Sequence, residues 1–213
     1  GGSFTVIAAA AGAALAKLLL FSAEQGVTGL EFAAGIPGTV GGAVCMNAGS
    51  YGREIKDVLV SARLVTRAGE RRRVATADLE PAYRSTNLKR SRAIVTRALF
   101  ELVPGDATAL LAKIEELNAK RWAALPSGVP NAGSIFKNPP GDYAGRLIEA
   151  CGLKGRTQGG AQISEKHANV IVNTGGATAA DVVALMRQMR DRAAEEFGVR
   201  LEPEIVLLGG LGE

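Results

Sequence analysis

The sequence predicts an α+β fold in two parts, and three observations carry that prediction. Val58 to Thr66 alternates apolar and polar residues as a strand, Arg71 to Ala75 returns after the Arg67–Glu70 turn, and Ala93 to Val103 is a third strand. Two long helical stretches follow, each with a residue suited to cap it: Asp106 before residues 107 to about 123, and Thr178 opening the amphipathic run to Phe197, which Gly198 ends. Pro104-Gly105-Asp106 separates the two parts, so the domains are expected at 1–103 and 104–213.

The remaining elements fall around this frame. Thr5 to Ala10 is strand-like, and Ala13 to Gln25 has helix-forming composition up to Gly26. Gly35 to Ala43 is so punctuated by glycine and proline that a specialised loop is expected there, and a further loop is expected over Ala123–Gly133. Ala144 to Ala150 is a short helix closed by Gly152, Val170 to Asn173 a strand, and Val199 to Leu208 a final strand. Phe4 to Phe21 is apolar, but it holds Thr5, Gly12 and Lys17 and is rich in Ala, which suits a strand and a buried helix better than a membrane span. The chain opens on Gly1 and not on Met, which leaves room for preceding residues.

Composition narrows the function classes. With 213 residues, 47% of them hydrophobic and 22% charged, the chain can bury a core and does not read as disordered. A net charge of +4 suits an anionic ligand or nucleic acid. The densest basic run, Arg71-Arg72-Arg73, reads as a solvated hairpin tip; with no aromatic-interleaved basic stripe, no nucleic-acid partner is expected. Cys45 and Cys151 lack CxxC spacing and there is one His, so neither a disulfide framework nor a metal site is expected, and a reducing cytoplasm is the simplest compartment.

Five segments have the residue types for chemistry. Gly35-Ile36-Pro37-Gly38-Thr39-Val40-Gly41-Gly42-Ala43 brings backbone N–H groups near whatever lies above it, as a phosphate cradle or as a tight packing loop between layers. It is neither a Walker loop nor a GxGxxG fingerprint, and it leads into Asn47-Ala48-Gly49-Ser50-Tyr51-Gly52. Arg84, beside Tyr83, offers a planar fork for a carboxylate or phosphate, or is a surface arginine. In Asn131-Ala-Gly-Ser-Ile-Phe-Lys-Asn138 small residues clear space beside Ser134, with Lys137 and Asn138 nearby; no Gly-x-Ser-x-Gly elbow marks a hydrolase. Gly159 to Asn169 carries the only His, His167, beside Lys166. Leu201-Glu-Pro-Glu204 places Glu204 after a proline that limits strand pairing.

Taken in order, Gly29-Leu-Glu-Phe32, the Gly35–Ala43 loop, Asn47-Ala-Gly-Ser-Tyr-Gly52, Tyr83-Arg-Ser85, Asn131-Ala-Gly-Ser-Ile-Phe-Lys-Asn-Pro139, the Gly159–Asn169 run and Leu201-Glu-Pro-Glu204 closely resemble the UDP-N-acetylenolpyruvoylglucosamine reductase (MurB) family over essentially the whole chain. The short spacing from Arg84 to Ser134 resembles the branch without an inserted substrate-covering loop. The resemblance implies a cytoplasmic, monomeric FAD enzyme of peptidoglycan synthesis. It would take hydride from NADPH and reduce UDP-N-acetylglucosamine enolpyruvate to UDP-N-acetylmuramate, with no membrane partner. It implies that residues 1–103 form the second lobe of a two-lobed FAD-binding domain of the vanillyl-alcohol-oxidase (PCMH) type, and 104–213 an α+β substrate domain. By motif position Arg84, Ser134 and Glu204 match the catalytic residues. Tyr83, Lys137, Asn138 and His167 match substrate-binding positions. Gly35 to Ala43 with Asn47, Gly49, Tyr51 and Gly52 match flavin-contacting positions.

The implied chemistry assigns each catalytic group a task. Hydride addition to the terminal vinyl carbon leaves an enolate-like charge, which Arg84 stabilises and Ser134 protonates. Glu204 either is protonated or positions Arg84 and substrate through hydrogen bonds.

The sequence departs from the family at its start. The Gly-Gly-Gly-Ser-Asn-type loop of a first lobe, which cradles the FAD pyrophosphate, has no match, and Gly1-Gly2-Ser3 is too short to stand for it. Without that lobe half of the flavin's contacts are missing, which leaves open whether this chain holds FAD by itself. The alternative is then a flavin-free fragment that holds a UDP-sugar through Lys137, Asn138 and His167 without a redox step. A different flavin oxidase would share the glycine-rich loop but not the Asn-Ala-Gly-Ser and Leu-Glu-Pro-Glu motifs.

Overall fold

The computed structural model describes residues 3–209; the Gly1-Gly2 pair weighed above lies outside the described residues. Packing divides the chain into two compact units, one reaching Lys120 and the other starting at Arg121. Among the described residues no helix is long and apolar enough to cross a membrane.

The first unit is built on an antiparallel sheet with helices between its strands along the chain. It contains β1 (Thr5–Ala10), α1 (Leu15–Glu24), β2 (Val27–Thr28), a 3₁₀ turn at Glu31–Ala33, α2 (Val40–Met46), β3 (Gly49–Ser50), β4 (Arg53–Glu54), β5 (Leu59–Val65), β6 (Arg71–Ala75), α3 (Leu88–Ser91), β7 (Ile94–Pro104) and α4 (Ala107–Ala124). The strand order is β1-β7-β5-β6, with β2 also on β7 and β3–β4 a separate hairpin. β7 is the spine: Ala98, Phe100 and Leu102 alternate into the core and are fully buried, opposite β1 on one edge and β5 on the other. The expected hairpin, third strand and first helix are all present.

Three details differ from the sequence expectation. Val40 to Met46 is helical and not loop, because Thr39 caps it and Val40, Ala43 and Val44 bury against the core; tertiary burial outweighs the poor helix propensity of Gly41-Gly42. Pro104 is still paired, with Val27. α4 is where expected, with the Asp106 carboxylate accepting from the Ala109 N–H at 2.7 Å, but its buried stripe Leu110, Ile114 and Leu117 joins the first core. The compact unit therefore runs past the 103/104 boundary, since the strand break marks a turn in the chain and not the end of the core.

The second unit contains β8 (Asn131–Ser134), α5 (Ala144–Ala150), β9 (Thr157–Gln158), β10 (Ala161–Ile163), β11 (Val170–Asn173) and α6 (Ala179–Phe197), with strand order β8-β11-β10-β9. α6 buries Leu185, Met186, Met189 and Ala193, a helical stripe against Ile135, Phe136, Leu147, Ile148 and Ile163. Its N-terminus is a capping box: the Thr178 hydroxyl accepts from the Asp181 N–H at 3.2 Å, and Asp181 accepts from the Thr178 N–H at 2.9 Å.

Two strand expectations are corrected here. Asn131 to Gly133, the end of the expected loop, belongs to the strand Asn131–Ser134. Val199 to Leu208, expected as a strand, is extended chain with a single bridge, Phe136 to Pro203. Proline has no N–H to extend a ladder, and Val206 and Leu208 are exposed beyond it.

Candidate active site

The glycine-rich segment combines bare backbone with a short helix start. Gly35 (φ 70°) and Gly38 (φ 107°) take conformations open to glycine, and a Cβ at Gly38 would meet nothing within 4 Å. Gly35, Pro37, Gly38, Thr39 and Gly42 are exposed, and Ile36 and Gly41 are partly so. The N–H groups entering α2 already have partners: Val40 donates to the Ala13 carbonyl and Gly41 to that of Ala11, both at 2.9 Å, and Gly42 to the Thr39 hydroxyl at 3.3 Å. The phosphate cradle considered from the sequence is therefore not what Val40 to Gly42 provide. The segment offers a side-chain-poor surface that a flat group can approach closely.

Arg84 is built into a tight turn closed by the Ala82–Ser85 bridge, at φ 55°. Its Nη2 donates to the Gly49 carbonyl at 2.9 Å, and its guanidinium lies 4.7 Å from the centre of the exposed Tyr83 ring. Residues 45–54 and 82–86 are laced together around it. The Thr86 hydroxyl donates to the Cys45 carbonyl at 2.7 Å. Asn47, fully buried in the left-handed cap of α2, donates from Nδ2 to the Ala82 carbonyl (3.0 Å) and to Glu54 (2.9 Å), while its Oδ1 accepts from the Lys56 N–H at 3.0 Å. The Asn47 side chain is thus enclosed and engaged, and it holds the turn that carries Arg84.

Gly49 is constrained by close approach, since a Cβ there would lie 2.4 Å from the Arg53 carbonyl oxygen. Tyr51 (φ 53°) and Gly52 (φ 79°) form the two-residue turn between β3 and β4, and the Tyr51 hydroxyl donates to the Leu117 carbonyl of α4 at 3.0 Å.

In the second unit, Ser134 ends β8 opposite Val170 and is half-buried. The next residues pair on both edges. Glu204 donates its N–H to the Ile135 carbonyl at 2.8 Å, and Lys137 donates its N–H to the Glu202 carbonyl at 2.9 Å. The Lys137 ammonium forms an ion pair with Glu202. Ser134, Lys137 and Glu204 thus share two adjoining chain segments. The Asn138 Oδ1 accepts from the Ala144 N–H at 3.1 Å, the start of α5, a structural duty beside the substrate contact expected of it. His167 is half-buried next to Gly145 of α5. Burial, with help from the Lys154 charge, holds its pKa below the usual 6.5, which favours the neutral ring. Its Nδ1 accepts from the Asn169 N–H at 3.2 Å, so the proton sits on Nε2. Asn169 itself, quoted in the motif but given no role there, is almost fully buried and hydrogen-bonded to the Phe136 peptide. Its only sequence signal is a polar residue placed directly before the apolar run Val-Ile-Val.

Comparison with known proteins defines the class. Residues 4–75 match a family described as FAD binding domain, and residues 125–208 match one described as UDP-N-acetylenolpyruvoylglucosamine reductase, C-terminal domain. The chain is an FAD-dependent oxidoreductase. It is 45% identical over 203 residues to the UDP-N-acetylenolpyruvoylglucosamine reductase of Geobacillus thermodenitrificans, covering 95% of this chain and 67% of that protein. It is 46% identical over 201 residues to the reductase of Gloeobacter violaceus, covering 93% and 68%. The fold superposes on the crystal structure of MurB from Thermus caldophilus with a TM-score of 0.81 and 38% identity, over 93% of this chain and 71% of that one. The chain belongs to the UDP-N-acetylenolpyruvoylglucosamine reductase family and spans about two thirds of the length of these two sequence relatives.

Proposed function

We propose that the chain reduces UDP-N-acetylglucosamine enolpyruvate to UDP-N-acetylmuramate in the cytoplasmic stage of peptidoglycan synthesis, with FAD as resident cofactor and NADPH as electron source. Beside family membership, one observation supports it most: the Glu204 N–H is bonded to the carbonyl of the residue after Ser134. Two of the three residues assigned to the chemistry thus occupy paired segments.

The residues present fit a flavin. The exposed, side-chain-poor backbone of Gly35 to Gly42 lets an aromatic ring system approach without steric conflict. FAD, when bound, supplies the hydride that reaches the terminal vinyl carbon of the substrate. That addition leaves negative charge on the neighbouring carbon and its carboxylate. Arg84 meets this charge with its guanidinium, and the Gly49 carbonyl and the Tyr83 ring hold the fork in place beforehand, so little reorganisation is needed. Ser134 gives its hydroxyl proton to the carbon bearing the carboxylate and recovers one from solvent; an enolate is basic enough to take it. Glu204 positions the reacting groups through hydrogen bonds. The His167 Nε2–H and the Asn138 amide donate to the nucleotide-sugar, and Lys137 supplies positive charge for its anionic portion.

The test separates the two half-reactions. Ser134→Ala should leave flavin reduction by NADPH intact and slow reoxidation by the enolpyruvyl nucleotide about 10²- to 10⁴-fold. For Arg84→Ala the deficit should fall on substrate binding and the same second half-reaction. Equal losses in both halves would assign these residues structural roles and remove the proposed mechanism.

A further inference from the structure

We infer that Asn169 is a positioning residue that clamps the Ser134 strand and sets the His167 tautomer together. The inference rests on the proton-donor role proposed for Ser134.

The geometry is specific to an asparagine. The carboxamide Oδ1 accepts from the Phe136 N–H at 2.9 Å and Nδ2 donates to the Phe136 carbonyl at 2.8 Å, so one side chain satisfies both polar groups of one residue. The Asn169 carbonyl accepts from the Ile135 N–H at 2.9 Å. An alanine could offer neither side-chain bond, and an aspartate lacks the donor. The site is nearly closed, Asn169 being 3% exposed and Phe136 1%, so water would not readily replace a lost partner.

The clamp resolves a conflict in the chain path. The β8–β11 pairing reaches Ser134 opposite Val170, but the chain before Val170 turns away through His167. A regular ladder would hold Phe136 with backbone and would take His167 into the sheet. Here the Asn169 side chain stands in for the missing strand, so His167 leaves the sheet while the segment after Ser134 stays fixed. The Asn169 N–H bonds His167 Nδ1 at 3.2 Å, which leaves the proton on Nε2. On the opposite edge the Ile135 carbonyl takes the Glu204 N–H at 2.8 Å. A shift at Asn169 therefore moves Ser134, Glu204 and His167 at once, without any of them being altered.

Asn169→Ala, which removes both side-chain bonds to the Phe136 peptide, is the test. Amide hydrogen exchange on the full chain should show Ile135 and Phe136 exchanging about tenfold faster than in the parent, with the amides of β10 unchanged; that is the size of one lost hydrogen bond. In the parent, imidazole ¹⁵N shifts should report the Nε2–H tautomer. In the FAD-loaded protein, reoxidation by UDP-N-acetylglucosamine enolpyruvate should slow about 10²-fold, as for a small misplacement of a reacting group, with NADPH-driven reduction unchanged. The same substitution made in Ser134→Ala should add almost nothing. Unchanged exchange at Phe136, the other tautomer, or an equal slowing in the Ser134→Ala background would overturn the inference. A Ser134→Ala variant with normal reoxidation would instead overturn the proton-donor reading, while exchange and tautomer still decide the clamp. Should Asn169→Ala unfold the unit, Asn169→Ser carries the same comparisons.

Discussion

Arg84 shows how a long side chain is set in place by the residues around it. It sits at φ 55°, a conformation costly for an L residue with a Cβ, and the Asn47, Gly49 and Thr86 contacts hold it there. Gly49→Ala puts a methyl group 2.4 Å from the Arg53 oxygen and 2.7 Å from Glu54 Cγ. The hairpin must open, at a cost of about 1–3 kcal/mol, and the carbonyl that orients Arg84 moves with it. A lowered melting temperature with slowed flavin reoxidation is expected; unchanged values in both would remove this account of the glycine. His167 makes a pH prediction. Its folded pKa lies below its unfolded 6.5, so the folded state binds fewer protons. Its contribution to stability is then fully present above about pH 6.5 and is lost as pH falls from there through the folded pKa. Melting temperature measured across that range should fall with acidification, and the slope should be shallower in His167→Gln. At this scale the sequence marks Arg84, Ser134, Glu204 and His167 through the order of their motifs. It does not show that the Asn47 and Asn169 side chains hold backbone, because that is decided by burial and by partners distant in the chain.

At the scale of elements, legibility follows the strength of local signals. α4 and α6 are read correctly because each has a cap and a helical stripe, and β5–β6–β7 because period-2 alternation is long enough to count. α2 is hidden by Gly41-Gly42, since its stability comes from packing and from Thr39. The terminal strand is over-read because an apolar run such as Ile205 to Leu208 looks like a strand wherever it has no partner. The cap on α6 is open to a direct check. Thr178→Ala removes the hydroxyl that accepts from the Asp181 N–H and should destabilise the second unit by about 1 kcal/mol, read by chemical denaturation. No change would mean that the exposed first turn is held by water alone.

For the whole molecule, the two cores are independent in composition: Phe100 and Leu102 anchor the first, and Ile148, Leu185 and Met189 the second. The α+β class is legible from the alternation of elements. The extent of the first unit is not, because α4 follows the turn at Pro104 yet buries its stripe backward into the first core.

The most direct test is the visible spectrum of the chain after incubation with excess FAD and desalting, followed through addition of NADPH and then of the enolpyruvyl nucleotide. The account predicts a retained flavin band that bleaches with NADPH and returns when the nucleotide is added. A chain that keeps no flavin, or a bleached band that the nucleotide does not restore, would contradict it.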